Sequence, residues 1–83
     1  MNRVKILLFA TLRERAGGAK SIELALPDGA TVQDLKNQIA RDYPALAQNM
    51  KSVLTTINRE YAFDEAVLTE GAELAMFPPV SGG

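Results

Sequence analysis

Residues 21–44 read SIELALPDGATVQDLKNQIARDYP. Within this stretch the spacing of apolar residues changes from every second position to every third or fourth. Ile22, Leu24 and Leu26 alternate with Ser21, Glu23 and Ala25, the pattern of a strand with one face against a core. Pro27-Asp28-Gly29 supplies a turn, since Pro presets φ and Gly accepts a left-handed backbone. Thr31 then stands where a helix N-cap is needed, and Asp34 places acidic charge in the first turn. Val32, Leu35, Ile39 and Tyr43 recur at helical spacing and give one apolar stripe. Pro44 ends the helix by biasing Tyr43 away from helical geometry. Such a helix must lie across a sheet, because a two-layer core is how these elements bury their apolar faces.

The flanking sequence supplies that sheet. Upstream, RVKILLFA (residues 3–10) alternates Val4, Ile6, Leu8 and Ala10 with Arg3, Lys5, Leu7 and Phe9. It forms a hairpin with residues 21–26 through TLRERAGGAK, a polar, glycine-containing stretch read as a flexible connection. Downstream, ALAQNMK suggests a short helical turn, SVLTTIN a third strand and Asn58-Arg59-Glu60 a turn. Tyr61 to Phe63 reads as a short edge strand, and Thr69-Glu70-Gly71 turns the chain into a last strand, AELAMF. The order, a hairpin, a helix, two strands and a short extra one, predicts an α+β β-grasp (ubiquitin-like) domain over residues 1–77. Its mixed sheet of four to five strands is covered by one main helix, with the first and last strands parallel at the centre. Residues 78–83 then form an extended tail.

Composition limits what such a domain can do. Its 83 residues are 47% apolar and 23% charged, which fits one globular domain and excludes a disordered chain. There is no Cys and no His. Disulfides, thiolate zinc sites and most nucleophilic or acid–base arrangements are therefore unavailable, and intrinsic catalysis is not expected. Net charge is −1, from nine basic and ten acidic residues spread along the chain, which argues against a nucleic-acid partner. No basic segment with an apolar run opens the sequence, and Ile6 to Ala10 is too short to span a bilayer. A cytoplasmic location without membrane attachment is expected.

Several groups invite a functional reading. Gly17-Gly18 lacks the spacing of a phosphate-binding loop and reads as loop. Glu60, Asp64 and Glu65 have no metal-ligand spacing and read as solvated acids. Arg13 and Arg15, just past the first strand, read as solvated charges, with contact to an acidic partner or an anion as the alternative reading. Strand alternation carries more weight. With Val4, Ile6 and Leu8 inward, Leu7 and Phe9 face away from the helix. In the last strand Leu74 and Met76 face inward, and Glu73, Ala75 and Phe77 outward. Leu7, Phe9 and Phe77 then share the open sheet face, and an apolar patch there is a partner surface.

The sequence closes on FPPVSGG, residues 77–83. Pro78 and Pro79 cannot donate ladder hydrogen bonds, so the sheet ends near Phe77, and they favour an extended path away from the body. Val80, Ser81, Gly82 and Gly83 grow steadily smaller, as a probe entering a narrow pocket should. The functional group on this reading is the terminal carboxylate of Gly83. A carboxylate is a poor electrophile, but joined to AMP it gains a good leaving group, and a sulfur donor can then convert it to a thiocarboxylate.

FATLRERAG, LPDGATVQDL, INREY and above all AMFPPVSGG resemble the small subunit of molybdopterin synthase, the MoaD-type sulfur carriers, over the whole chain. Where that family usually has Asp-Gly-Asp-Glu near the last turn, this chain has Glu70-Gly71-Ala72-Glu73. The resemblance implies that an E1-like adenylyltransferase uses ATP to activate Gly83, with no cofactor bound by the carrier itself. It also implies insertion of Pro78 to Gly83 into the large synthase subunit, in a heterotetramer of two small and two large subunits. There the thiocarboxylate donates sulfur to precursor Z (cyclic pyranopterin monophosphate), building the dithiolene of molybdopterin. Phe9, Tyr61 and Phe77, together with Leu7 and Arg13, are the implied partner contacts. A sulfur carrier for thiamine or another product, and a ubiquitin-like modifier linked through Gly83 to Lys, are the alternatives.

Overall fold

A computed structural model describes residues 1–79. Its order is β1 (Asn2–Leu8), α1 (Thr11–Arg15), β2 (Ser21–Leu26), α2 (Val32–Asp42), β3 (Leu54–Ile57), β4 (Glu60–Tyr61) and β5 (Glu73–Phe77). Short 3-10 turns, Pro44–Leu46 and Asn49–Lys51, connect α2 to β3. The strands form one sheet in the order β2-β1-β5-β3-β4. β1 and β5 lie side by side and parallel, with Ile6 opposite Leu74 and Leu8 opposite Met76, while the other pairs are antiparallel. This is the expected β-grasp, with five strands.

α2 forms where the apolar spacing placed it. The Thr31 side chain accepts from the Asp34 N–H, and the Asp34 carboxylate accepts from the Thr31 N–H, a reciprocal capping box. Val32, Leu35 and Ile39 are fully buried against Val4, Ile6, Leu8, Leu74 and Met76. Gly29, at φ 86°, makes the turn that lets β2 lead into the helix.

Four expectations are corrected. β1 stops at Leu8 rather than residue 10, because Ala10 adopts φ 53° and redirects the chain. Ala10 is therefore exposed and has no place on the inner face. The stretch after it is not a flexible loop: Thr11–Arg15 form α1, whose Leu12 is fully buried. Gly17 and Gly18, both at positive φ, end that helix, and the Gly18 N–H donates to the Arg13 carbonyl at 2.9 Å. The edge strand β4 is Glu60–Tyr61, so Phe63 lies beyond it in a loop. Finally, Asp64 is not merely solvated. Its Oδ1 accepts from Lys36 Nζ at 2.6 Å, and the Lys36 side chain is only 11% exposed.

Candidate functional site

The sheet face opposite α2 carries the site, and register assembles it. Leu7 on β1 faces Ala75 on β5, Ala75 faces Thr56 on β3, and Thr56 faces Tyr61 on β4. One row of side chains thus crosses four strands. Ala75 and Thr56, the small members, are 8% and 9% exposed although no helix covers them. They form the floor of a depression of about 380 Å³, and Leu7, Phe9, Tyr61, Phe77, Arg59 and Glu73 stand around it.

Phe9 and Phe77 close the end of the depression at which β5 finishes. Their rings stack with centroids 4.7 Å apart and planes 10° from parallel. Both are half-buried, so Phe77 is less solvent-facing than alternation alone implies. Arg13 adds a cation over the Phe9 ring. Its guanidinium lies 5.8 Å from the Phe9 ring centroid, and its Nε donates to the Leu8 carbonyl at 3.2 Å. The short α1 helix is what brings Arg13 back over the end of β1.

At its other end this face turns polar. Lys5 pairs in register with Glu73 on one side and Glu23 on the other, and the Asn58 carboxamide oxygen accepts from the Glu73 N–H at 3.0 Å. The apolar end is therefore the one from which Pro78 and Pro79 depart. Prolines at these positions cannot extend the ladder beyond the Leu54–Phe77 pair. Val80, Ser81, Gly82 and Gly83 lie outside the described residues.

The expected contacts Leu7, Phe9, Tyr61, Phe77 and Arg13 are thus brought together, while Arg15 is exposed on α1 outside this depression. Gly17 and Gly18 serve the helix end described above. Among the described residues, no group of three or more acidic side chains is gathered as a metal would require. Sequence reasoning missed the Lys36–Asp64 pair and the exposure of Phe63. Of the floor of the depression, only Ala75 was signalled, by its outward parity in the last strand. No helix among the described residues is long and apolar enough to cross a membrane.

A ubiquitin-like β-grasp domain with an apolar open face and a proline-led departure from its central strand is the class these features define. Residues 6–83 match the ThiS family model, and the chain belongs to that family. It is 42% identical over 84 residues to the molybdopterin synthase sulfur carrier subunit of Chlamydomonas reinhardtii, covering 98% of this chain and 99% of that one. The structure is similar to a putative molybdopterin converting factor subunit 1 from Pyrococcus furiosus, at TM-score 0.86 and 28% identity, over 96% of this chain and 100% of that chain. It is also similar to small archaeal modifier protein 1 from Methanosarcina acetivorans, at TM-score 0.80 and 32% identity, over 100% and 98% of the two chains.

Proposed function

We propose that the chain is the sulfur carrier subunit of a molybdopterin synthase, delivering sulfur as a thiocarboxylate on Gly83. The observation that carries this reading is the alignment of the apolar depression with the exit of β5. A partner that seats a side chain over Ala75 and Thr56 receives the tail from a fixed origin at Phe77. Family membership and the relatives' names as sulfur carrier subunits support it.

The chain's own residues bind and orient. Leu7, Phe9, Tyr61 and Phe77 offer apolar area to the large subunit, and burial of such rings is the main favourable term in association. Pro78 and Pro79 stiffen the departing segment and reduce the conformational freedom lost when it enters a pocket. Gly82 and Gly83, lacking Cβ, fit a narrow channel. An E1-like adenylyltransferase joins the Gly83 carboxylate to the AMP portion of ATP with release of pyrophosphate, and a sulfur donor displaces the AMP. The resulting thiocarboxylate is a nucleophile at neutral pH and attacks the pterin precursor within the large subunit; water then cleaves the acyl–sulfur bond, leaving the sulfur on the pterin and restoring the Gly83 carboxylate. With neither His nor Cys in the sequence, the proton-transfer groups for that step belong to the partner.

A second reading is favoured by the similarity to a small archaeal modifier protein: Gly83 forms an isopeptide with lysines of other proteins. Mass spectrometry of the protein from its native cell separates the two. Exchange of one terminal oxygen for sulfur supports the carrier. Gly83 found only in isopeptide linkage, with no thiocarboxylate form, refutes it.

A further inference from the structure

Phe63 is 82% exposed and Tyr61 77%, both on the segment that follows β3. A single exposed aromatic is unremarkable by itself. What sets Phe63 apart is the rigidity of the backbone that presents it. The Ala62 N–H donates to the Thr55 carbonyl at 2.9 Å, and the Ala66 N–H closes a turn onto the Phe63 carbonyl at 3.0 Å. The first turn of α2 donates to the same loop, Gln33 N–H to the Asp64 carbonyl and Val32 N–H to the Ala66 carbonyl, each at 3.0 Å. Lys36 pins Asp64 from below, and Thr31 bridges Val67 beyond. The loop is ordered before anything binds, so docking on Phe63 incurs little further backbone ordering.

The ring also belongs to a surface with a definite charge. Tyr61, Ala62, Phe63 and Ala66 line a groove of about 530 Å³ whose charged members are Glu60 and Glu65. Of the neighbouring cations, Lys36 is held by Asp64, and Arg59 lies 3.9 Å from the Glu73 carboxylate on the open-face side. The groove is apolar at its centre and acidic at its rim. Tyr61 lines both this groove and the open-face depression, so the two surfaces meet along one side chain.

We propose that the interface on the open face continues around the β4 edge, where Phe63 inserts into an apolar socket flanked by basic side chains on the same partner protein. This rests on the sulfur-carrier reading, in which that partner is the synthase large subunit.

The test is calorimetric and stopped-flow binding of the full-length chain to the purified large subunit at several salt concentrations. Thermal melts serve as a check of folding. Phe63→Ser weakens binding about tenfold with an unchanged melt, while Phe63→Leu keeps most of the affinity. The double variant Glu60→Gln/Glu65→Gln flattens the salt dependence of the association rate. Wild-type affinity in Phe63→Ser, alongside a weakened Phe77→Ala, overturns the extended interface and leaves the carrier reading standing. Unchanged salt dependence in the double variant overturns the basic rim. No binding by the wild-type chain overturns both the inference and the reading beneath it.

Discussion

Phe9, just past the end of β1, and Phe77, the last residue of the parallel neighbour β5, stack 4.7 Å apart at the point where the central strand gives way to prolines. The stack couples fold to function, because the last residue of β5 is both a structural neighbour of Phe9 and the origin of the tail. Phe77→Ala removes a half-buried ring and its stacking contact with Phe9, at a cost of about 1–2 kcal/mol in stability. For a domain of this size that is a fall in Tm of about 5–15 °C. Affinity for the large subunit falls about ten- to a hundredfold in addition. Thermal melts and titration calorimetry on the same preparation measure both. A large loss of stability with unaltered affinity of the folded fraction would make the ring purely structural.

The terminus separates from the fold more cleanly. Deleting Gly83, or adding one residue after it, touches no buried position among those described, so the melt stays that of the wild type. Sulfur transfer to the pterin precursor is abolished in a reconstituted assay. Transfer that survives either change is incompatible with a thiocarboxylate carried on Gly83.

How far the sequence could be read follows from the range of each interaction. The Thr31–Asp34 cap and the stripe of Val32, Leu35 and Ile39 are local, and spacing alone located them. Parity placed Leu7, Phe9 and Phe77 on one face, since a strand reverses its side chains at every residue. α1 escaped because a single turn with one buried residue, Leu12, has no period to detect. The Arg13 contact with Phe9 depends on that turn and was hidden with it. The Lys36–Asp64 pair joins positions 28 apart in sequence, and no local signal reports a non-local ion pair. The Phe63 loop follows from that pair and from its hydrogen bonds to α2, so its fixed, outward ring was equally invisible.

That ion pair makes its own prediction. A carboxamide at position 64 leaves the Lys36 ammonium, 11% exposed, without its counter-charge. Removing one partner of a wholly buried pair costs about 3–5 kcal/mol. Asp64 is 44% exposed and its side is screened by water, so Asp64→Asn costs about 1–2 kcal/mol, read from urea midpoints. The double variant Lys36→Met/Asp64→Asn recovers most of the loss, because methionine fills the space of the lysine stem without a charge. A double variant as unstable as Asp64→Asn would mean that the loss comes from the missing Asp64 contact and not from an unpaired Lys36 ammonium.

The capping box is testable by truncating a single side chain. Thr31→Ala deletes the hydroxyl that accepts from the Asp34 N–H and leaves that donor to water. The expected cost is about 1 kcal/mol. Asp34→Ala removes the reciprocal half, and because both contacts belong to one motif the two losses should not add. Additivity in the double variant would show that the two hydrogen bonds act independently.

Ala75 distinguishes the depression from the rings around it. It lies between Leu7 and Thr56 in register, is 8% exposed, and belongs to the open face rather than to the core beneath α2. A leucine there projects into the depression of about 380 Å³, so it displaces solvent instead of packed side chains. Stability should therefore stay within about 1 kcal/mol of the wild type, the added apolar area offsetting any adjustment of Tyr61 or Leu7. Binding is another matter, because the seat for the partner's side chain is now filled from below. Affinity for the large subunit should fall at least about tenfold, as expected when a central contact is displaced. Phe9 and Phe77 keep their stack in this variant, so the loss reports on the depression itself. If Ala75→Leu binds as tightly as the wild type, the partner rests on the rings and leaves the depression to water.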